Sequence, residues 1–255
     1  MSTLQALLWD VDGTLAETEE LHRRAFERAF ADFGLDVRWP PELYRELLKV
    51  TGGRERLRHH FERHRPDLLA RVDIPALHAH KTRLYGEMAA RELELRPGVA
   101  RLLREARAAG LRQAVVTTTS RVNVEALLDR TLGGEGREIF EVWVTGEEVV
   151  RKKPAPDLYL LALTRLDLPP SACLALEDSE LGLASARGAG VPVVVVTSPW
   201  TRGGDYTGAC AVFDGFGDPG MPCRRLDGGP QPPDGMLHVD DLHALHAACV
   251  GDAGA

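Results

Sequence analysis

The run Leu4-Gln-Ala-Leu-Leu-Trp9 is apolar over the length of a strand and stops abruptly at Asp10-Val-Asp12-Gly13-Thr14, the pattern of a buried strand entering a polar loop. From Glu17 onward Leu21, Ala25, Phe26, Ala29, Phe30 and Phe33 recur at helical spacing with charges between them, which predicts an amphipathic helix. Helical patterning continues to about Arg91 through Leu43/Leu47/Leu48, Leu57/Phe61 and Leu77/Leu84/Met88, without strand-like alternation. After Arg96-Pro97-Gly98 the period changes. Helices are expected near 99–109, 122–130 and 156–166, and strands near 112–117, 141–145, 173–176 and 191–197, with a further helix between the last two.

Alternation of helix and strand predicts an α/β fold, a doubly wound, Rossmann-like parallel sheet with helices on both faces. The N-terminal strand must pair in that sheet, because a purely helical lobe offers it no partner. The helical stretch is therefore a domain inserted after the first strand, with 1–16 and 94–255 forming the core and 17–93 the cap. A segment rich in Gly, Pro and Asp, about 214–235, reads as an irregular surface excursion ahead of a last helix near 239–249, with no function apparent.

Composition narrows the class of function. The chain has 255 residues, 44% hydrophobic and 27% charged, enough apolar material for a large core. A net charge of −7 without a basic stripe disfavours nucleic acid and anionic membranes as partners. The Met-Ser-Thr-Leu start lacks the features of a signal peptide, so a cytosolic protein is expected; a monomer is the expected state, with an oligomer left open. Four scattered cysteines, Cys173, Cys210, Cys223 and Cys249, lack zinc-site spacing and are read as mostly reduced packing residues. The apolar run Val191–Val196 is too short to span a bilayer.

Four polar clusters fall at the predicted carboxyl ends of four strands. Asp10 and Asp12 can serve as nucleophile and acid/base for phosphoryl transfer, with a divalent cation such as Mg²⁺ between carboxylate and phosphate; the plain alternative is a solvated Asp-Gly turn. Thr117-Thr118-Thr119-Ser120 offers hydroxyls and N–H groups to phosphate oxygens, or simply a helix cap. Lys152-Lys153-Pro154 offers an ammonium in a proline-fixed loop, or ordinary surface charge. Glu177-Asp178-Ser179 offers metal-ligating acids, or an N-cap. Any one of these is weak alone. In one parallel sheet all four converge on a single crevice.

Taken in order and setting, Asp10-Val-Asp-Gly-Thr14, Thr117, Lys153-Pro154 and Glu177-Asp178 resemble the four motifs of the haloacid dehalogenase superfamily over nearly the whole chain. The resemblance implies Asp10 as nucleophile, Asp12 as acid/base, Thr117, Thr118 and Lys153 as phosphate binders, and Mg²⁺ held by Asp10, the Asp12 carbonyl and Asp178, with Glu177 helping indirectly. A helical insertion after the first motif is similar to the cap of the β-phosphoglucomutase-like branch, which closes over the site and selects substrate. Within that branch the segments Leu15–Phe26, 44–56 and 114–120 look most like xylulose-1,5-bisphosphate phosphatases of the CbbY type. This implies removal of the 1-phosphate from a bisphosphorylated ketose that inhibits Rubisco. It also implies substrate contacts from Glu17, His22, Tyr44, Gly53, Arg54 and Lys81, with Arg54 and Lys81 meeting the second phosphate. Leu181-Gly182 stands where related sequences often carry Asn-Gly. Competing readings are a phosphosugar mutase, which an aldose phosphate with a bisphosphate primer would reveal, a phosphatase for another ester such as phosphoglycolate, and a non-catalytic phosphosugar sensor. The sensor has no need of both Asp10 and Asp12.

Overall fold

The computed structural model describes residues 3–50 and 52–252; Met1, Ser2 and Thr51 of the stretches singled out above lie outside the described residues. Six described strands form one sheet in the order β3-β2-β1-β4-β5-β6: β1 (Ala6–Trp9), β2 (Arg112–Val116), β3 (Val142–Val144), β4 (Cys173–Glu177), β5 (Val193–Val196) and β6 (Ala211–Phe213). Every pairing is parallel. The strand sequences Ala-Leu-Leu-Trp and Val-Val-Val-Val are buried at every position, as strands covered on both faces must be. Trp9 lies opposite Val115 on one side and Leu176 on the other, so Asp10 emerges beside the ends of β2 and β4. The strand order reverses at β1/β4, where a doubly wound sheet opens its ligand crevice.

The chain divides into two compact units, one within Met1–Glu17 and Glu94–Ala255 and the other Thr18–Leu93. The second is helical: α1 (Glu19–Asp32), α2 (Pro41–Leu47), α3 (Gly53–His64), α4 (Pro66–Leu69) and α5 (Ile74–Glu92). The apolar stripe of α1, including Phe26 and Phe30, packs on Trp39, with ring centroids 4.6 Å and 5.0 Å apart. Each buried ring of this kind stabilises the unit by roughly 1.5–3 kcal/mol relative to exposure. Asp73 caps α5 by accepting from the Ala76 N–H at 3.0 Å.

The first unit carries α6 (Val99–Ala108), α7 (Arg121–Thr131), α8 (Gly134–Ile139), α9 (Asp157–Leu166), α10 (Glu180–Gly188) and α11 (Val239–Asp252). Two elements, α8 and β6, were not expected: α8 is short and opens on glycines, and β6 has only three residues. The Gly/Pro-rich segment has a structural role. Its Leu226 N–H donates to Val212 O (2.7 Å), and its Arg224 O accepts from the Asp214 N–H (3.0 Å), so it covers the otherwise open edge of β6. Arg101 anchors the same segment through Gly217 O (2.8 Å) and the residues that follow it through Leu237 O (3.0 Å).

The cysteine expectation needs correction. Cys210, just before β6, and Cys249, on α11, form a disulfide, while Cys173 and Cys223 are free and buried. The partners are 39 residues apart and meet only because α11 returns to the sheet edge. Among the described residues no helix is long and apolar enough to cross a membrane.

Candidate active site

The loop after β1 turns at Gly13, whose positive φ of 84° and lack of a Cβ let it approach Asp178; a methyl there would overlap the Asp178 carboxylate. Asp10 is buried, its Oδ2 accepting from Thr14 Oγ1 (3.0 Å) and its Oδ1 from Lys153 Nζ (2.7 Å). Lys153 also donates to Glu177 Oε1 (2.6 Å) and Val116 O (2.9 Å), which uses all three of its N–H groups. Asp178 follows β4 directly and accepts from Thr201 Oγ1 (3.2 Å). Single carboxylate oxygens of Asp10, Glu177 and Asp178 all lie within 4.8 Å of one another, the one such acidic group among the described residues.

Three buried carboxylates against one ammonium leave an excess of negative charge, which adds to the larger effect of burial. Burial raises the Asp10 pKa, with Asp12 adding and Lys153 opposing. Asp178 is held well above the ordinary range by burial and then by Asp10 and Glu177. Burial, with Asp10 adding and Lys153 offsetting, pushes Glu177 up to about 7. Burial works to lower Lys153, but Asp10 and Glu177 override it, so the lysine stays charged. A hard divalent cation fits this all-oxygen, anion-rich cluster by charge and by donor type.

Thr117 is buried; its N–H donates to Val144 O (3.0 Å) and its hydroxyl accepts from the Thr119 N–H (3.1 Å). Thr118 is half-buried, and its carbonyl packs so closely on Gly146 that no Cβ fits there. Asp12 is half-buried in the loop after β1. Glu17, in the core unit, pairs with the buried Arg96 at 3.1 Å. That guanidinium also donates to Gly13 O, Val196 O (2.9 Å) and Thr197 O (2.8 Å), bracing the β1 loop against the end of β5.

The helical unit gathers His22, Tyr44 and Lys81 into its own buried groups. Lys81 Nζ donates to His22 Nδ1 (2.8 Å) and lies 4.5 Å from the Phe26 ring centroid; burial and then Lys81 keep His22 well below its usual pKa, hence neutral. The Tyr44 hydroxyl donates to Glu19 (2.9 Å) and accepts from Arg56 (2.9 Å). Gly53 lets α3 pass close to His78 on α5. Arg54 is exposed, whereas Arg56, two residues on, is buried. Sequence reasoning passed over Arg56, Glu19, Arg96 and Thr201. Nothing in their spacing distinguishes them from solvated charge or a turn.

A family model for haloacid dehalogenase-like hydrolases matches residues 4–190. The chain is 53% identical to Protein CbbY of Rhodobacter capsulatus over 210 residues, covering 81% of this chain and 91% of that protein. It is 45% identical to the plasmid-borne Protein CbbY of Cupriavidus necator over 250 residues, 96% of each. Among solved structures it is similar to an Asp-to-Asn variant of CbbY from Rhodobacter sphaeroides in complex with xylulose 1,5-bisphosphate, with TM-score 0.78, 49% identity, and coverage of 83% of this chain and 94% of that one.

Proposed function

The chain belongs to the haloacid dehalogenase-like hydrolase family, and from that premise we propose that it is an Mg²⁺-dependent sugar phosphatase whose substrate is xylulose 1,5-bisphosphate, released as xylulose 5-phosphate and inorganic phosphate. The observation that carries the reading is the convergence of Asp10, Lys153, Glu177 and Asp178 at the carboxyl end of one parallel sheet. The substrate rests on the likeness to CbbY proteins, one of them bound to that bisphosphate.

In this mechanism Asp10 attacks the 1-phosphate phosphorus, the bond to the sugar oxygen breaks, and Asp12 gives that oxygen a proton. Asp12 then takes a proton from water as the water oxygen attacks the aspartyl-phosphate, releasing phosphate and restoring the Asp10 carboxylate. The Thr117 and Thr118 groups hold phosphoryl oxygens, and the Lys153 ammonium binds the phosphate by offsetting its charge from beside Asp10. Asp10, the Asp12 carbonyl and Asp178 would hold Mg²⁺, which when bound neutralises charge on the phosphoryl oxygens. Glu17, His22, Tyr44 and Gly53 are proposed for the sugar, and Lys81 and Arg54 for the second phosphate.

Phosphate release from a panel of sugar mono- and bisphosphates with Mg²⁺ tests the substrate. Xylulose 1,5-bisphosphate is expected to have the highest kcat/KM; a higher value for phosphoglycolate or an aldose 1-phosphate would move the enzyme to another substrate without touching the mechanism.

The raised carboxylate pKa values predict how the metal acts on stability. At this cluster the metal-free fold binds more protons than the unfolded chain, so the cluster's contribution to stability is full below the unfolded carboxylate values and is lost as pH rises through about 7. The raised Lys153 contributes nothing to this slope, since its stabilisation is lost only in the alkaline range. A cation replaces those protons, so the rise in Tm on adding Mg²⁺ should be larger at pH 8 than at pH 6. Equal shifts in a pair of thermal melts would contradict the assignment of the cluster as the metal site.

A further inference from the structure

We infer that Tyr159 is a positioning residue for phosphoryl transfer, its buried hydroxyl fixing Glu177 so that Glu177 in turn aims Lys153 at Asp10. The inference rests on the proposed phosphatase function but uses none of the sugar-specific contacts.

Tyr159 lies in the first turn of α9, fully buried, on a helix whose other inward residues are aliphatic. A buried hydroxyl needs a partner, and this one donates to Glu177 Oε1, the oxygen that also receives Lys153. The Lys153 ammonium lies 5.4 Å from the centre of the Tyr159 ring. On its other side Glu177 is closed in by Gly182, where a Cβ would overlap Oε2, and Oε2 has no hydrogen-bond partner among the described residues. Glu177 is thus wedged between a helix backbone and a phenol, with both of its hydrogen bonds on one oxygen. Lys153 has no spare N–H, so its direction is set by where Asp10, Val116 O and Glu177 stand. Losing the phenol hydroxyl leaves Lys153 as the single donor to Glu177 and lets that pair tighten at the expense of the Lys153 to Asp10 contact. Gly182 also gains an explanation here: its role is to make room for the Glu177 carboxylate.

The test is Y159F, which removes one oxygen and keeps the ring. With Mg²⁺ and p-nitrophenyl phosphate, an ester independent of sugar recognition, kcat is expected to fall about 10- to 100-fold, the size of a lost hydrogen bond to a charged group. KM and the Mg²⁺ concentration for half-maximal rate should stay unchanged, and the Lys153 ammonium resonance in a ¹⁵N–¹H spectrum should shift. An unchanged kcat in folded Y159F overturns the proposal, as does a shift in Mg²⁺ half-saturation with normal saturating kcat, which would mean that Glu177 serves the cation instead. If Y159F fails to fold, 3-fluorotyrosine at position 159 keeps the hydroxyl as a stronger donor: kcat and the ammonium resonance both move under the proposal, and neither moves if Tyr159 only packs. If the wild type hydrolyses no ester, the phosphatase reading fails, and the ammonium resonance alone decides whether Tyr159 positions Lys153.

Discussion

Replacing Asp10 with Asn is expected to reduce kcat by on the order of 10⁴- to 10⁶-fold while leaving the protein folded. The amide is the same size as the carboxylate, and its oxygen can still accept from Lys153 as Asp10 Oδ1 does at 2.7 Å. What it loses is nucleophilicity. It also removes one of three carboxylates crowded within 4.8 Å, each of them raised by burial and by its neighbours. Metal-free D10N should therefore be no less stable than wild type at pH 8, because the repulsion that burial concentrates has been relieved. Loss of activity together with loss of the fold would signal a structural role for Asp10; near-normal activity would remove it from the chemistry. Initial rates and a thermal melt on the same preparation separate these cases.

Lys153→Met should act on both activity and stability. The methionine matches the length of the aliphatic stem but carries no charge, so Asp10 and Glu177 lose the cation they share at 2.7 Å and 2.6 Å. Removing one partner of a buried ion pair commonly costs about 3–5 kcal/mol, because the partner is left charged in a poorly solvated site. Protonation relieves that cost, and Glu177 already stands near 7 with the lysine present. The loss measured by urea denaturation should accordingly be larger at pH 8 than at pH 6. Activity is expected to fall about 10²- to 10³-fold, the size of one lost electrostatic contact to the transition state. A stability loss equal at the two pH values would show that Lys153 contributes packing and not charge.

Much of this arrangement can be read from the chain because strand ends are simple signals. An apolar run such as Leu4–Trp9 that stops at an acid places that acid at the carboxyl end of the sheet, and the register then brings Asp10 next to Val116 and Glu177. The helical insertion is legible for a similar reason: the α1 stripe repeats at helical spacing and buries one face. What stayed hidden depends on long-range return of the chain. Cys210 and Cys249 carry no local sign of pairing, and the 214–235 segment has a visible use only once β6 presents an edge to cover. Tyr159 sits in an apolar helical pattern and reads as core, since a hydroxyl buried for a carboxylate looks the same in sequence as a ring buried for its area. Arg56 and Arg54 are two residues apart on α3, and only the packing of the helix decides which one turns inward.

The role of Asp10 as nucleophile can be read by stopping the enzyme with acid during turnover and mapping the modified peptide. A mass gain of one phosphoryl group is expected on the peptide carrying Asp10, absent from D10N and lost on brief exposure to base. Rapid turnover with no phosphorylated peptide at any quench time, or a phosphoryl group on a residue other than Asp10, would contradict it.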